Sequence, residues 1–178
     1  MPKVNQKLAI SEIKALERIY LQCRSVFPAL TDSIIGHSEF TTAPYYVHRG
    51  FMAQIKTAKP ITQDFIEQNT KLVKWINENA IIRLHGIMNY YGFLNTIDQN
   101  CSGWKEVNLM RRMRNAFTKT GLNYRPEDPD NIRLRDEIIE HFKLDKNLYI
   151  EGEIPTPIDT VVEKIFKSCR KYIEVKIA

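Results

Sequence analysis

Residues 110–124 read MRRMRNAFTKTGLNY, a basic helical run that stops at a glycine. Together with Val107 just before it, the stretch places Met110, Met113 and Phe117 at intervals of three and four residues, the spacing of one apolar face of an α-helix. Gly121 stands where glycine commonly ends a helix. The stretch predicts an amphipathic helix with its arginines on the polar side.

The same periodicity recurs on both sides of this stretch and predicts further helices. Ser11, Thr62 and either Asp130 or Asn131 are expected N-caps, and Pro157 suits the first turn of the last helix. The predicted helices cover residues 11–25, 62–97, 103–119 and 131–141, and a last one begins at residue 156 and continues past residue 172. We therefore predict an all-α fold, an up-and-down bundle of four long helices with one or two short ones.

Two stretches lack this periodicity. Residues 31–60 mix small polar and aromatic residues with proline and glycine, so we expect a loop with a short helix over residues 47–56. Residues 147–155 are expected to be extended, as a small hairpin or a lid. The length and the low glycine count favour one helical domain spanning residues 1–178.

Charge, cysteines and hydropathy narrow the function classes. The net charge of +5 permits an acidic partner such as nucleic acid without requiring one. Cys23, Cys101 and Cys169 lie far apart and outside zinc-ligand spacing, so we expect no metal and no cofactor. Cys23 and Cys169 fall on apolar helix faces, where reduced thiols are buried. The N-terminus lacks signal-peptide features and no apolar run reaches membrane-spanning length, which predicts a cytoplasmic protein with no membrane contact.

Basic residues concentrate between residues 105 and 125. Arg111 and Arg114 are three residues apart and share a helix face, whereas Arg112 points elsewhere. Guanidinium groups bind phosphate oxygens through paired hydrogen bonds. The alternative is a solvated basic face whose cations offset the helix dipole. The candidate nucleic-acid-binding residues beside Arg114 are Lys105, Arg111, Arg112 and Arg125.

The order of features after this helix resembles the HEPN family. The segment RNAFTKTG is similar to that family's R-N-x-x-x-H-x-x-G motif, with Arg114 and Asn115 in place. Lys119 takes the position of the histidine, and the glycine comes one residue early. A turn-rich linker, a short extended piece and a closing amphipathic helix follow, so the resemblance covers about the last half of the chain.

The resemblance implies metal-independent RNA cleavage at a site assembled across a homodimer. Arg114 would contact the phosphate, Asn115 would be the polar orienting residue, and Lys119 would take the proton-transfer position. These three are the candidate catalytic residues. An unperturbed lysine has a pKa of about 10.4, far above that of histidine, so it is a poor base at neutral pH. We therefore expect an RNA-contacting protein with weak or lost ribonuclease activity, in a defence, toxin–antitoxin or RNA-processing setting.

The four histidines have no visible catalytic partner in the sequence. His85 is expected to be packed or partly exposed, and His141 to act as a cation at a helix C-terminus. His37 and His48 lie in the irregular stretch. The neighbouring pairs Tyr45-Tyr46 and Tyr90-Tyr91 could stack on bases, but such residues more often pack in cores.

Two other function classes stay open. The chain could be a non-catalytic dimeric scaffold that binds a protein partner, with arginines that only increase solubility. A helical DNA-binding protein is a third class, although no helix-turn-helix glycine turn is visible.

Overall fold

The structure is a computed structural model and describes residues 3–119, 127–149 and 153–176. The described residues are mostly helical, which confirms the all-α class, while the up-and-down bundle arrangement stays a prediction. The helices are α1 (Lys3–Val26), α2 (Pro44–Val47), α3 (Gln63–Tyr90), α4 (Trp104–Lys119), α5 (Pro129–Phe142) and α6 (Glu163–Val175). Strands β1 (Glu39–Thr41) and β2 (Gln54–Lys56) pair antiparallel. Within the described part, no helix is both long and apolar enough to cross a membrane.

The chain forms two compact units, and the division falls inside α1 and α3. The larger unit comprises Met1–Leu16 and Ala80–Ala178, and the smaller unit comprises Glu17–Asn79. The candidate RNA-contacting residues all belong to the sequence of the larger unit.

Helix α4 forms the centre of the larger unit, where it packs against α5 and α6. Its buried face includes Val107, Met110 and Met113, as the spacing predicted, whereas Phe117 at the end of the same face is only half-buried. The thiol of Cys169 on α6 lies 3.8 Å from the Met110 sulfur. The fully buried α6 side chains are Ile165, Phe166, Cys169, Tyr172 and Ile173. This packing leaves the opposite face of α4, which carries Arg111, exposed.

Helix α3 ends at Tyr90, earlier than the predicted boundary at residue 97. Gly92 adopts a positive φ of 74°, and the Phe93 N–H donates to the Met88 carbonyl at 2.9 Å. The Gly92 N–H donates to the Asn89 carbonyl, which completes a Schellman termination. The prediction overran because Leu94 is buried in the following turn and continues the apolar spacing. The predicted N-cap is confirmed, since Thr62 Oγ1 accepts from the Phe65 N–H at 3.3 Å.

The loop between α3 and α4 is tied to α6. The Asp98 N–H donates to the Tyr172 hydroxyl at 2.8 Å. Gly103 has a φ of 87°, and a Cβ at this position would lie 2.5 Å from the Ser168 carbonyl oxygen. Only glycine therefore fits at residue 103, immediately before α4 begins.

The smaller unit holds the irregular stretch. The helix expected over residues 47–56 is wrong, because α2 occupies 44–47 and β2 occupies 54–56. Thr42 is buried between them, and its Oγ1 accepts from the Ala53 N–H at 2.6 Å. Within the same unit, the Tyr20 hydroxyl donates to Asn77 Oδ1 at 2.9 Å.

Several predicted boundaries shift. Helix α1 begins at Lys3, so Ser11 lies inside it instead of capping it. The cap of α5 is Asp128, whose side chain accepts from the Asp130 N–H, so neither Asp130 nor Asn131 is the cap. A short carboxylate at residue 128 followed by proline forms a complete helix start by itself.

The C-terminal third differs from the prediction in two further places. A 3₁₀ turn at Lys146–Leu148 replaces part of the extended segment expected near residues 147–155, of which 150–152 lie outside the described residues. A π-helical turn at Ile158–Val162 precedes α6. Cys169 is buried as expected, but Cys23 is exposed, which contradicts the prediction for that thiol.

Candidate nucleic-acid interface

Arg114 lies near the C-terminal end of α4 and is half-buried. Its Nη1 donates to Oδ1 of Asn115 at 3.1 Å. The Thr118 hydroxyl donates to the Arg114 carbonyl at 2.9 Å, within the same turn. A guanidinium has five N–H donors, so most of its donors remain for a ligand. Asn115 therefore restrains one Arg114 donor, and its role as the polar orienting residue stays a prediction from the sequence.

Arg111 lies one turn before Arg114 on α4 and is exposed. The two side chains share a face because they are three residues apart on a continuous helix. Two guanidinium groups on one helix face repel each other and gain from a shared anion. The pair is thus suited to phosphate.

His85 of α3 is the residue that the sequence reasoning missed. Burial lowers the pKa of its imidazole, and the positive charges of Arg114 and then Arg111 lower the pKa further. Both guanidinium groups therefore act electrostatically on this ring, and the lowered pKa keeps it neutral at pH 7. No spacing rule connects residues 85 and 114, since they belong to different helices.

The surface beside His85 is open. Gly86 is exposed, and a Cβ added there would have no atom within 4 Å. His85 itself is half-buried. Position 86 therefore leaves open space next to His85 in the chain.

The other predicted phosphate contacts are arranged differently. Arg112 pairs with Glu137 of α5, so its charge is offset within the chain. Lys105 lies at the other end of α4, with its ammonium 5.9 Å from the Trp104 ring centroid. Neither residue belongs to the group formed by Arg111, Arg114 and His85.

Three predicted features fall at the edge of the described region or beyond it. Lys119 is the last residue of α4, and its side chain lies outside the described residues. Arg125 and the motif glycine Gly121 also lie outside them. Their roles stay predictions from the sequence.

The remaining candidates are involved in local contacts. His141 lies 3.1 Å from a Glu106 carboxylate oxygen through its Nε2, so its partner is on α4. Tyr91 is buried and donates to Glu12 at 2.7 Å, a hydrogen bond that raises the pKa of Tyr91 to about 12. Tyr90 is 82% exposed and is free to contact a base.

The larger unit therefore carries two arginines on one face of α4, an asparagine hydrogen-bonded to one of them, and a histidine within their electrostatic influence. We call Arg111, Arg114, Asn115 and His85 the α4 basic site. Comparisons with protein-family models, curated proteins and solved structures found no match to this chain.

Proposed function

We propose that this chain is a HEPN-like protein that binds RNA through the α4 basic site, with weak or lost metal-independent ribonuclease activity. The observation that carries the proposal is the pair of arginines on one face of α4, with Arg114 hydrogen-bonded to Asn115. Both arginines also lower the pKa of His85. Neutral imidazole next to paired guanidinium groups suits a phosphate that has a ribose hydroxyl beside it.

Phosphate recognition rests on the two arginines. Asn115 restrains the Arg114 guanidinium, which reduces the entropy lost when a phosphate binds. Arg111 adds a second donor set on the same face. Binding through such contacts weakens steeply as salt rises, because phosphate counterions are released on association.

Cleavage would use His85 as a base. In this proposal the imidazole accepts the proton of a ribose 2′-hydroxyl, and the 2′-oxygen bonds to the adjacent phosphorus. The bond from phosphorus to the 5′-oxygen breaks, and a proton from water neutralises the leaving oxygen. Arg114 offsets the charge that develops on the phosphate. Lys119 holds its proton too tightly to act as an efficient acid, so the reaction is slow.

The proposal includes a homodimer in which the motifs of two copies face one another, as the family resemblance implies. Light scattering coupled to size exclusion measures this directly. A monomer at all protein concentrations would remove the dimer from the proposal without affecting RNA binding by one chain.

The decisive experiment uses fluorescent single-stranded RNA in EDTA and measures polarisation and strand cleavage together. The Arg114→Ala protein is compared with Arg83→Ala, which removes an exposed arginine of α3 outside the site. We expect Arg114→Ala to weaken binding by about tenfold or more, the effect of a lost charged hydrogen bond, and Arg83→Ala to leave it unchanged.

Equal binding by the two variants would overturn the proposal. Absence of RNA binding by a dimeric wild-type protein would favour the scaffold that binds a protein partner. Binding without cleavage, lost in Arg114→Ala, would retain the RNA contact and discard the enzyme.

A further inference from the structure

The first turns of α4 and the last turns of α5 border an open pocket of about 400 Å³. This volume lies within the range of small-molecule sites. The lining residues are Trp104, Lys105, Asn108, Leu109, Glu137, Glu140 and His141. The pocket is at the opposite end of α4 from Arg114, so it is separate from the α4 basic site.

Three polar groups in this pocket are available to a ligand. Within the described part of the chain, the Trp104 indole N–H, the Asn108 amide and the Glu140 carboxylate make no hydrogen bond or ion pair. Trp104 and Asn108 are half-buried, and Glu140 is exposed. The pocket thus presents a flat aromatic ring together with one uncommitted carboxylate.

The neighbouring charges have partners of their own. Glu137 is paired with Arg112, and Glu106 is paired with His141. Glu140 is therefore the lining acid that remains for a ligand. The Lys105 ammonium is then the lining cation, and it favours a ligand that carries an anionic group.

A second depression adjoins the first and shares Trp104 and Lys105 with it. Its volume is about 370 Å³, and it is formed by the loop before α4 and the first residues of that helix. Helix α4 has 16 residues, so its N-terminus carries a positive partial charge and first-turn amides without helical partners. Together with Lys105, this end of the helix favours a phosphate group. Glu106 also lines the depression, and its carboxylate lies 3.1 Å from His141 Nε2.

We propose that the two depressions form a guanine nucleotide site, with the base in the pocket against Trp104 and the phosphate beside Lys105. Guanine presents two adjacent N–H donors, at N1 and the 2-amino group, that match the two oxygens of the Glu140 carboxylate. Adenine and uracil lack this donor pair. An arginine side chain is also planar with paired donors, but it has no anionic group to contact Lys105.

The guanine could belong to a free nucleotide or to an RNA strand. Only the RNA source rests on the proposed function, because it needs the α4 basic site to hold the same strand. The free nucleotide can be tested without that site.

The first arm titrates nucleotides against the intrinsic fluorescence of Trp104. The chain has two tryptophans, so the Trp75→Phe protein leaves Trp104 as the reporter. We expect guanosine monophosphate to quench it, and inosine monophosphate, which lacks the 2-amino group, to bind about tenfold more weakly. In the Trp75→Phe protein, Glu140→Gln should weaken the binding of guanosine monophosphate by a similar factor. The matched control Glu174→Gln changes an exposed carboxylate on α6 and should have no effect.

Equal affinities for guanosine, inosine and adenosine monophosphates would overturn the site. So would retained guanosine monophosphate binding in Glu140→Gln, equal competition by arginine amide, or no saturation up to about 5 mM.

The second arm measures RNA strands that carry one guanine or one inosine, with wild type and Arg114→Ala. If nucleotides quench Trp104 and the wild-type protein also binds the guanine strand more tightly than the inosine strand, the ligand is RNA. If nucleotides quench Trp104 but the two strands bind equally, the ligand is a free nucleotide. If nucleotides quench Trp104 and Arg114→Ala leaves RNA binding unchanged, the proposed function is wrong and the nucleotide site is retained. If RNA binding depends on Arg114 and no nucleotide quenches Trp104, only the nucleotide site is wrong.

Discussion

Nη1 of Arg114 donates to Oδ1 of Asn115 at 3.1 Å, a hydrogen bond between consecutive residues of one helix. Consecutive side chains are about 100° apart around an α-helix, so the bond draws the guanidinium sideways over the exposed face. Asn115 can accept this bond and stay neutral, so it holds Arg114 without cancelling its charge. Restraint of the Arg114 side chain can therefore be separated by experiment from neutralisation of its charge.

Replacing Asn115 by Ala and by Asp should weaken RNA binding to different extents. Loss of one surface hydrogen bond in Asn115→Ala is expected to cost about 0.5–1 kcal/mol, or roughly two- to fivefold in affinity. Asn115→Asp keeps an acceptor but offsets the Arg114 charge, so it should bind RNA more weakly than Asn115→Ala. Polarisation titrations at one fixed salt concentration measure both. An Asp variant that binds as well as wild type would show that charge at Arg114 is irrelevant.

The pKa of His85 should respond to its arginine neighbours. Each guanidinium disfavours the imidazolium, so Arg111→Ala is expected to raise the pKa of His85 toward its ordinary value of 6.5. Inorganic phosphate bound to the wild-type protein should raise this pKa as well, because the anion offsets both positive charges. Titration of the histidine ring protons by NMR reports each change. Arg83→Ala serves as the control, and a pKa that ignores both Arg111→Ala and phosphate would contradict the assigned neighbours.

The lowered pKa of His85 also makes folding stability depend on pH. The folded-state pKa lies below the unfolded-state value of about 6.5, so the unfolded chain takes up this proton first as pH falls. The contribution of His85 is fully present above pH 6.5 and declines as pH drops toward the folded-state pKa. Denaturant melts of wild type and His85→Gln should diverge in that window. Parallel stability curves would refute the linkage.

A histidine at position 119 should restore the motif. We expect Lys119→His to introduce or raise RNA cleavage in EDTA, since a positioned acid–base group typically contributes at least about 10²-fold. Lys119→Gln is the matched control, because it removes the lysine charge without supplying a titrating group near neutral pH. Both variants are assayed on the same labelled RNA across pH 5–8. If the histidine variant cleaves no faster than the glutamine variant, the HEPN-like catalytic arrangement is wrong.

Two glycines should respond oppositely to alanine. At Gly103 an added Cβ meets the Ser168 backbone at 2.5 Å with φ at 87°, so Gly103→Ala should destabilise the fold by about 1–3 kcal/mol. Gly86 lies in a helix with open space around it, so Gly86→Ala should stabilise by roughly 0.5–1 kcal/mol. Urea denaturation gives both free energies. Equal destabilisation would mean that the close contact at the start of α4 does not constrain the chain.

The spacing of apolar residues along the sequence was enough to predict most of the helices. The boundaries of α4 and the buried face of Val107, Met110 and Met113 followed from spacing, because an amphipathic helix encodes its own period. The end of α3 did not, because Leu94 is buried in a turn and continues a helical spacing by coincidence. The hairpin at 39–41 and 54–56 was missed because strands of three residues carry almost no period-two signal.

In the candidate site, too, contacts within one helix could be predicted from the sequence and contacts between helices could not. The sequence by itself determined that Arg111, Arg114 and Asn115 share the exposed side of one helix, since residues three and four apart are neighbours on any helix. Only the tertiary structure decided that His85 stands within their electrostatic influence and that Arg112 is paired with Glu137. Those relationships join residues of different helices, and their proximity depends on how the helices pack, which no spacing along the chain records.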